Sequence, residues 1–399
     1  MKLRKVFVAV LVFVLLLTGC GYQVPEPMSY PDYTFSDTPD TNELRMTAVR
    51  ATRDLLSVQW HTKQKISYNK TGPVSGKRFN HETKTTYAGV LYSNANTGLF
   101  QFLEYYDYKT GELCFNGTSD ELKTAIGTSC ADAILWGWST VCNSISGGFY
   151  PTFMIYANGY LPVGDYKYNF NVNTYNLMPT YAILEDNEES VIYDAYSKVL
   201  PADALVSSSD NHAIMVIENP TVFYLEDGSI DTVNSYIMIQ DQRGGYGTGF
   251  YEIIENGNKL HYSGCISVKF TFEELYKKHF VPVTTAEFIG KKEYEKATIT
   301  VSDNSISNLD ALINTKISSN YPLAIINIYV TNNKGQENLI DKILFNGTAI
   351  TGVPREYALS QSKVLAQFQA SDQNISGNRI RVEVVPSTGE RFDVIEFEI

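Results

Sequence analysis

Leu44, Ala48, Ala51, Leu55 and Val58 recur at three- and four-residue spacing, which predicts an amphipathic helix over roughly 41–58. Asp40, followed three residues later by Glu43, is a start signature for that helix. The stretch 60–126 mixes aromatic, Gly and Asn residues with no sustained period. It runs into Gly127-Thr128-Ser129-Cys130-Ala131-Asp132-Ala133-Ile134-Leu135-Trp136-Gly137-Trp138, a polar approach that becomes an apolar helix with a cysteine on its first turn. A Tyr- and Asn-rich insert, roughly 146–180, reads as loops. Apolar runs at 212–217, 236–241 and 266–270 predict strands. Thr271 with Glu274 then opens a short helix through about His279.

From about Ala297 the texture changes to short alternating runs at 323–330, 342–345, 380–385 and 392–399, separated by turn residues. A helical period shows only around 307–317. Helix first and sheet after is an α+β order. The last part, 295–399, reads as an all-β sandwich of Ig-like size. It holds no His and no Cys, so the chemistry is expected in 41–294.

Lys2, Arg4 and Lys5 precede the run 6–17, which has no charged or polar side chain. A membrane span needs about 20 apolar residues, so the shorter run fits a signal-peptide core. It closes on Leu17-Thr18-Gly19-Cys20, which resembles the lipobox of bacterial lipoproteins. That resemblance implies a signal peptide over 1–19, acylation of Cys20, and a mature protein anchored by lipid outside the cytoplasm. Pro25, Pro27, Pro31 and Pro39 among Ser, Thr and Asp make 20–40 a tether from the bilayer.

The formal net charge of −12 excludes the basic footprint that a nucleic-acid partner requires. Neither HExxH nor paired CxxC is present, so no metal is expected, and no cofactor either. The Gly-rich run Gly244-Gly245-Tyr246-Gly247-Thr248-Gly249 lacks dinucleotide-binding spacing and reads as a turn. Besides Cys20 there are Cys114, Cys130, Cys142 and Cys265, an even count that invites a disulfide reading in an oxidising compartment. A Cys130–Cys142 bridge conflicts with a helix between them, because twelve residues rise about 18 Å and bridged Cα atoms lie within about 7 Å.

Cys130 is a candidate nucleophile because the unpaired N–H groups and dipole of a helix start favour thiolate over thiol. A nucleophilic cysteine needs a base, and the base needs a third group to orient its ring. His212 stands where the polar Ser207-Ser208-Ser209-Asp210-Asn211 gives way to an apolar strand, which makes it the expected base. His61 and His81 lie in polar segments, His279 ends a short helix beside two lysines, and His261 is a reserve candidate. The third group is expected on the following strand: Asp241 by choice, with Gln240 and Gln242 as alternatives by alternation.

The order of cysteine on a helix, histidine opening a strand and polar acceptor on the next strand resembles the NlpC-type and CHAP-type cysteine peptidases and amidases. These are papain-like enzymes of bacterial cell-wall metabolism. Their Asp-Cys-Ser-Gly motif is here Ser129-Cys130-Ala131-Asp132, and Asp241-Gln242-Arg243-Gly244-Gly245 looks like the Glu-Gln-Asn segment of the CHAP group. Tyr87-Ala88-Gly89-Val90-Leu91-Tyr92 looks like the Gly-x-Pro-Tyr segment of the NlpC group, with Leu91 in place of the proline. The resemblance implies a papain-like fold over roughly 44–290, peptide stems of peptidoglycan as substrate, and Tyr92 as a substrate or oxyanion contact. A transglutaminase-like peptidase uses Cys, His and Asp in the same order. An inactive surface binding or adhesion lipoprotein is the alternative from another class.

Overall fold

The computed structural model of the 399-residue chain describes residues 28–35, 38–69, 78–93, 95–145, 160–168, 179–243, 251–255, 258–303, 305–347, 352–370 and 378–399. The signal segment 1–19, Cys20, the glycine-rich run 244–249 and most of the 146–180 insert lie outside the described residues. Among those described, no helix is long and apolar enough to cross a membrane.

Helix α1 (Thr41–Ser57) starts at the predicted box. The Glu43 N–H donates to Asp40 Oδ1 at 2.8 Å, and the Asp40 N–H donates to Glu43 Oε2 at 3.1 Å. Helix α2 (Cys130–Ser139) packs across it. Gly137 makes the close crossing possible: a Cβ there would lie 2.0 Å from Thr52 Oγ1 and 2.7 Å from the Ala48 carbonyl oxygen, both on α1.

The two helices lie on a six-stranded sheet made of β1 (Tyr160–Pro162), β2 (Ala204–Ser207), β3 (His212–Val216), β4 (Tyr236–Gln242), β5 (Gly264–Thr271) and β6 (Val281–Thr285). The strand order is β5-β4-β3-β2-β6-β1, and every neighbouring pair is antiparallel. On one face Ala213 and Met215 pack with Ala48, Val49, Ile134 and Trp138 from the two helices. On the other, Ile214, Val216, Ile237 and Ile239 meet Ile192 and Tyr196 of α3 (Glu189–Ser197), with Phe272 and Leu275 of α4 (Phe272–Lys277). Covering both faces explains why β3 reads as a continuous apolar run and not an alternating one.

Three of these strands escape the sequence pattern. β2 and β6 are short and fully buried, so they have no alternation to show. β1 corrects the reading of 146–180 as loops, since three residues of that insert pair with β6 as an edge strand.

The tether expectation is also corrected in part. Tyr33 is only 1% exposed and its hydroxyl donates to Asp54 Oδ2 at 2.8 Å, while the Tyr30 ring stacks on Phe100 at 5.0 Å. The buried Tyr33 ring and the half-buried Tyr30 ring fix the chain to the body, so residues 28–35 are docked and not a spacer.

The C-terminal part has a four-stranded antiparallel sheet, β7 (Leu323–Thr331), β8 (Glu337–Leu344), β9 (Arg379–Pro386) and β10 (Phe392–Glu398), in the order β8-β7-β9-β10. A second sheet of Ile299–Val301, Lys316–Ser319 and Glu356–Ala358 contributes Ile317 to the core that β7 and β9 line. The helical period near 307–317 is realised only over Leu309–Ile313. Helix Lys363–Ala370, which the pattern does not announce, places Leu365 in the same core. This part is fused to the rest: Ala324, Ile325 and Val385 share a cluster with Leu99 and Phe100, and Ser387 Oγ donates to the Ser139 carbonyl at 2.5 Å. The chain is thus a mixed α and β protein with its helices and sheets in separate layers.

Candidate active site

The approach to α2 is fixed before the helix begins. Gly127 has φ +128°, and a Cβ there would lie 2.1 Å from Ser93 Oγ, so glycine is required. The main chain of Tyr92 pairs in parallel with Thr128, and the Thr128 N–H donates to the Leu91 carbonyl at 2.9 Å. Ser129 then caps the helix. Its hydroxyl and N–H both donate to Asp132 Oδ2, at 2.6 and 3.0 Å. Cys130 is the first helical residue, 5% exposed.

The opposite side of the site comes from the β2–β3 hairpin. Ser207 pairs with His212, and Asn211 turns the chain at φ +47°, a left-handed conformation that Asn tolerates. That turn brings the Asn211 carbonyl to 3.9 Å from Cys130 Sγ. His212 follows immediately, so its ring lies beside the sulfur.

Alternation along β4 decides the third member. Gln240 pairs with Met215 across the sheet and faces α1. Its amide donates to the Val49 carbonyl at 3.1 Å and lies 3.1 Å from Met215 Sδ. Asp241 faces the other way, diagonal to His212. A bulge in the β4–β5 ladder falls between Ile239 and Asp241, a device that re-aims side chains beside functional sites. His212 Nε2 lies 2.8 Å from Asp241 Oδ1. The N–H is bent away from the line to the oxygen, so charge attraction contributes more than a directional bond. Asp241 Oδ2 is paired with Arg243, whose guanidinium lies over the Phe270 ring at 5.5 Å.

Nε2 is committed to Asp241, which leaves Nδ1 as the nitrogen available to the sulfur. Burial by itself would push the His212 pKa down. The Asp241 carboxylate and the Cys130 sulfur outweigh it and raise the pKa to about 10. The ring is therefore an imidazolium at neutral pH, set between the Asp241 carboxylate and the Cys130 sulfur in a site almost closed to water. The side chains of His212 and Asp241 are only 6% and 3% exposed.

The structure brings together Cys130, His212 and Asp241. Gln240 is not part of the group, and Gln242 donates its amide to the Val90 carbonyl at 3.1 Å, so both glutamines tie β4 to its surroundings. Tyr92 flanks the approach to the cysteine through its main chain, while its ring stacks on Phe79 at 6.2 Å. His261 sits in a different sheet with its ring 5.8 Å from Tyr87. His279 is half-buried away from the group, with its Nδ1 3.0 Å from Ser209 Oγ and its ring against Tyr181. Cys114, Cys130, Cys142 and Cys265 are all thiols. Among the described residues no group of His, Cys, Asp and Glu stands where it could hold a metal ion.

Two contributors escaped sequence reasoning. The Ser129-x-x-Asp132 spacing is a capping-box signature and could have located the helix start. Arg243, two residues after Asp241, lies on the same strand face by alternation and could have been weighed as its counter-ion. No family model matches this chain, and neither does any curated protein or any solved structure.

Proposed function

We propose that this chain is a thiol hydrolase that cleaves amide bonds, with a papain-like domain over 41–294 and an Ig-like domain over 295–399. The observation that carries the reading is the convergence at one hairpin mouth of Cys130 at a helix start, His212 beside it, and Asp241 2.8 Å behind the ring. Cys130 attacks the substrate carbonyl carbon as thiolate, and a tetrahedral oxyanion forms. First-turn N–H groups of α2 are available to it because they have no partner inside the helix, and Tyr92 is the side-chain donor. The His212 imidazolium then gives its proton to the leaving amine as the C–N bond breaks, leaving a thioester. A water, deprotonated by the now neutral His212, attacks the thioester and releases the acid and the thiolate. Asp241 keeps the ring oriented and stabilises its charged form throughout.

Peptide stems of peptidoglycan are the proposed substrate class, on the resemblance to the NlpC-type and CHAP-type enzymes. Location outside the cytoplasm on an acylated Cys20 follows from the lipobox. Mass spectrometry of muropeptides after incubation with purified cell wall tests the reading. New cleavage products are expected with the native protein, and about a ten-thousandfold or greater loss of rate with Cys130→Ala. Identical profiles from the two proteins would remove the hydrolase and leave a surface binding lipoprotein.

One observation favours a second reading. The third group is an aspartate, which matches the Cys-His-Asp order of transglutaminase-like peptidases. Cleavage of protein substrates with no action on cell wall would select that alternative.

A further inference from the structure

The Asp241 carboxylate is shared by two cations. Its Oδ1 is 2.8 Å from His212 Nε2, and its Oδ2 forms an ion pair with Arg243. Arg243 directly follows β4, with a side chain only 16% exposed and its guanidinium over the Phe270 ring of β5. The remaining groups around this cluster bring little net charge. Cys265 lies across from Asp241 in the β4–β5 ladder as a free thiol. Lys278 Nζ lies 5.9 Å from the centre of the same Phe270 ring and 3.6 Å from Asp210, so these two charges largely cancel. Cys130 meets the ring from α2.

Charges act more strongly here than at a surface, because the side chains of His212 and Asp241 are nearly closed to water. With Cys130 as thiolate, the two cations face two anions. With the sulfur acylated, one carboxylate is left for both cations, and a protonated ring then leaves excess positive charge in a buried site, which desolvation penalises. The Arg243 charge stands on the order of 6 Å from the ring, across the width of the shared carboxylate. At an effective dielectric near 20 it opposes ring protonation by about a hundredfold.

We propose that Arg243 is a positioning residue that makes the proton on His212 depend on the state of Cys130. This role presupposes the hydrolytic reading. By offsetting part of the Asp241 charge, Arg243 leaves the thiolate as the anion that keeps the ring protonated before attack. The proton then passes to the leaving amine, and the sulfur is held uncharged in the thioester. The ring stays neutral, so its nitrogen can take a proton from the attacking water. Without Arg243, the Asp241 charge draws a proton from solvent back onto the ring of the acyl-enzyme, and the water has no base. A guanidinium that merely held the Asp241 side chain in place would act in the opposite sense. Its loss would weaken the contact between Asp241 and His212 and make the ring less basic.

The test replaces Arg243 in the full chain by Gln or Met, which are neutral, and by Lys, which keeps the charge. Side-chain NMR titration of His212 is run in a Cys130→Ser background, because a serine hydroxyl, like an acylated sulfur, carries no charge. The ring should titrate about one to two pH units higher in Arg243→Gln and Arg243→Met than with Arg243 present. Arg243→Lys should bring it back near the starting value. No substrate is involved, so this outcome is independent of the hydrolytic reading. A neutral variant whose ring titrates at or below the value with Arg243 overturns the proposal, and so does a Lys variant that shifts as far as the neutral ones. With Cys130 present and purified cell wall as substrate, the neutral variants should accumulate thioester. A burst of the first product should persist, while kcat at pH 7 and KM fall together by about tenfold or more. The rate should recover as pH is raised by about one to two units. Loss of kcat without a burst, or with an unmoved pH profile, equally overturns the proposal. Absence of turnover by the native protein would overturn the hydrolytic reading and not the link between Arg243 and the ring.

Discussion

Asp241→Asn removes a charge without changing shape, so it isolates what the carboxylate does for His212. At 2.8 Å and an effective dielectric near 20, a carboxylate–imidazolium pair attracts with about 6 kcal/mol, on the order of ten-thousandfold in ring protonation. Arg243 stays behind in the variant with its partner neutralised, and its charge then opposes protonation of the ring. Burial opposes it too. The ring is therefore expected to titrate below its ordinary value of 6.5, down from about 10. Side-chain NMR of His212 as a function of pH reads this directly. Alkylation of Cys130 by iodoacetamide at pH 7 should slow by about tenfold or more, because the cationic partner of the thiolate is gone. A linked effect on stability has a definite sign. The raised pKa means that the folded chain binds the proton more tightly than the unfolded one. That stabilisation is complete below about 6.5 and is lost as pH rises through about 10. Denaturant titrations of the native protein should show this alkaline loss, and those of Asp241→Asn should not. Unchanged titration of His212 in the variant would mean that Asp241 does not govern the ring, and the proposed triad would fail with it.

Other consequences are open to measurement. Arg45 and Asp203 form a buried ion pair at 2.7 Å that ties α1 to the segment before β2, with the Arg45 guanidinium also donating to the carbonyls of Pro201 and Phe288. Arg45→Ala should cost about 3–5 kcal/mol in denaturant unfolding, since it strands a buried carboxylate. Tyr92→Phe should lower kcat by about a hundredfold with KM little changed if its hydroxyl contacts the oxyanion; an unaltered kcat would confine Tyr92 to packing. His81 is buried among Trp60, Tyr68 and Tyr87, and burial pushes its pKa down to about 3. The folded chain thus disfavours the charged ring, so stability is lost as pH falls from about 6.5 toward 3. His81→Phe should show a shallower acid loss in thermal melts, and equal slopes would assign the effect to other groups.

The sequence by itself determined the features that local physics writes into neighbouring residues. The Asp40–Glu43 box and the apolar spacing after it defined α1, because capping and helical periodicity act within a few residues. The polar-to-apolar changes at Ser129-Cys130 and Asn211-His212 marked a helix start and a strand mouth, and the four alternating runs after Ala297 marked β structure. Where several outcomes shared one local pattern, the tertiary structure decided. Gln240, Asp241 and Gln242 were equivalent candidates until the register of β3 with β4, and the bulge after Ile239, turned Asp241 toward His212 and sent the two glutamines elsewhere. β1, β2 and β6 are too short or too buried to display a period, so only pairing reveals them. The docking of Tyr30 and Tyr33 was hidden because a proline-rich segment looks the same whether or not a distant pocket accepts its rings. A cavity behind α2 depends on residues of that helix and of the C-terminal part, far apart in the chain, meeting in space. Side-chain direction and long-range contact are set by packing, and a linear pattern does not encode them.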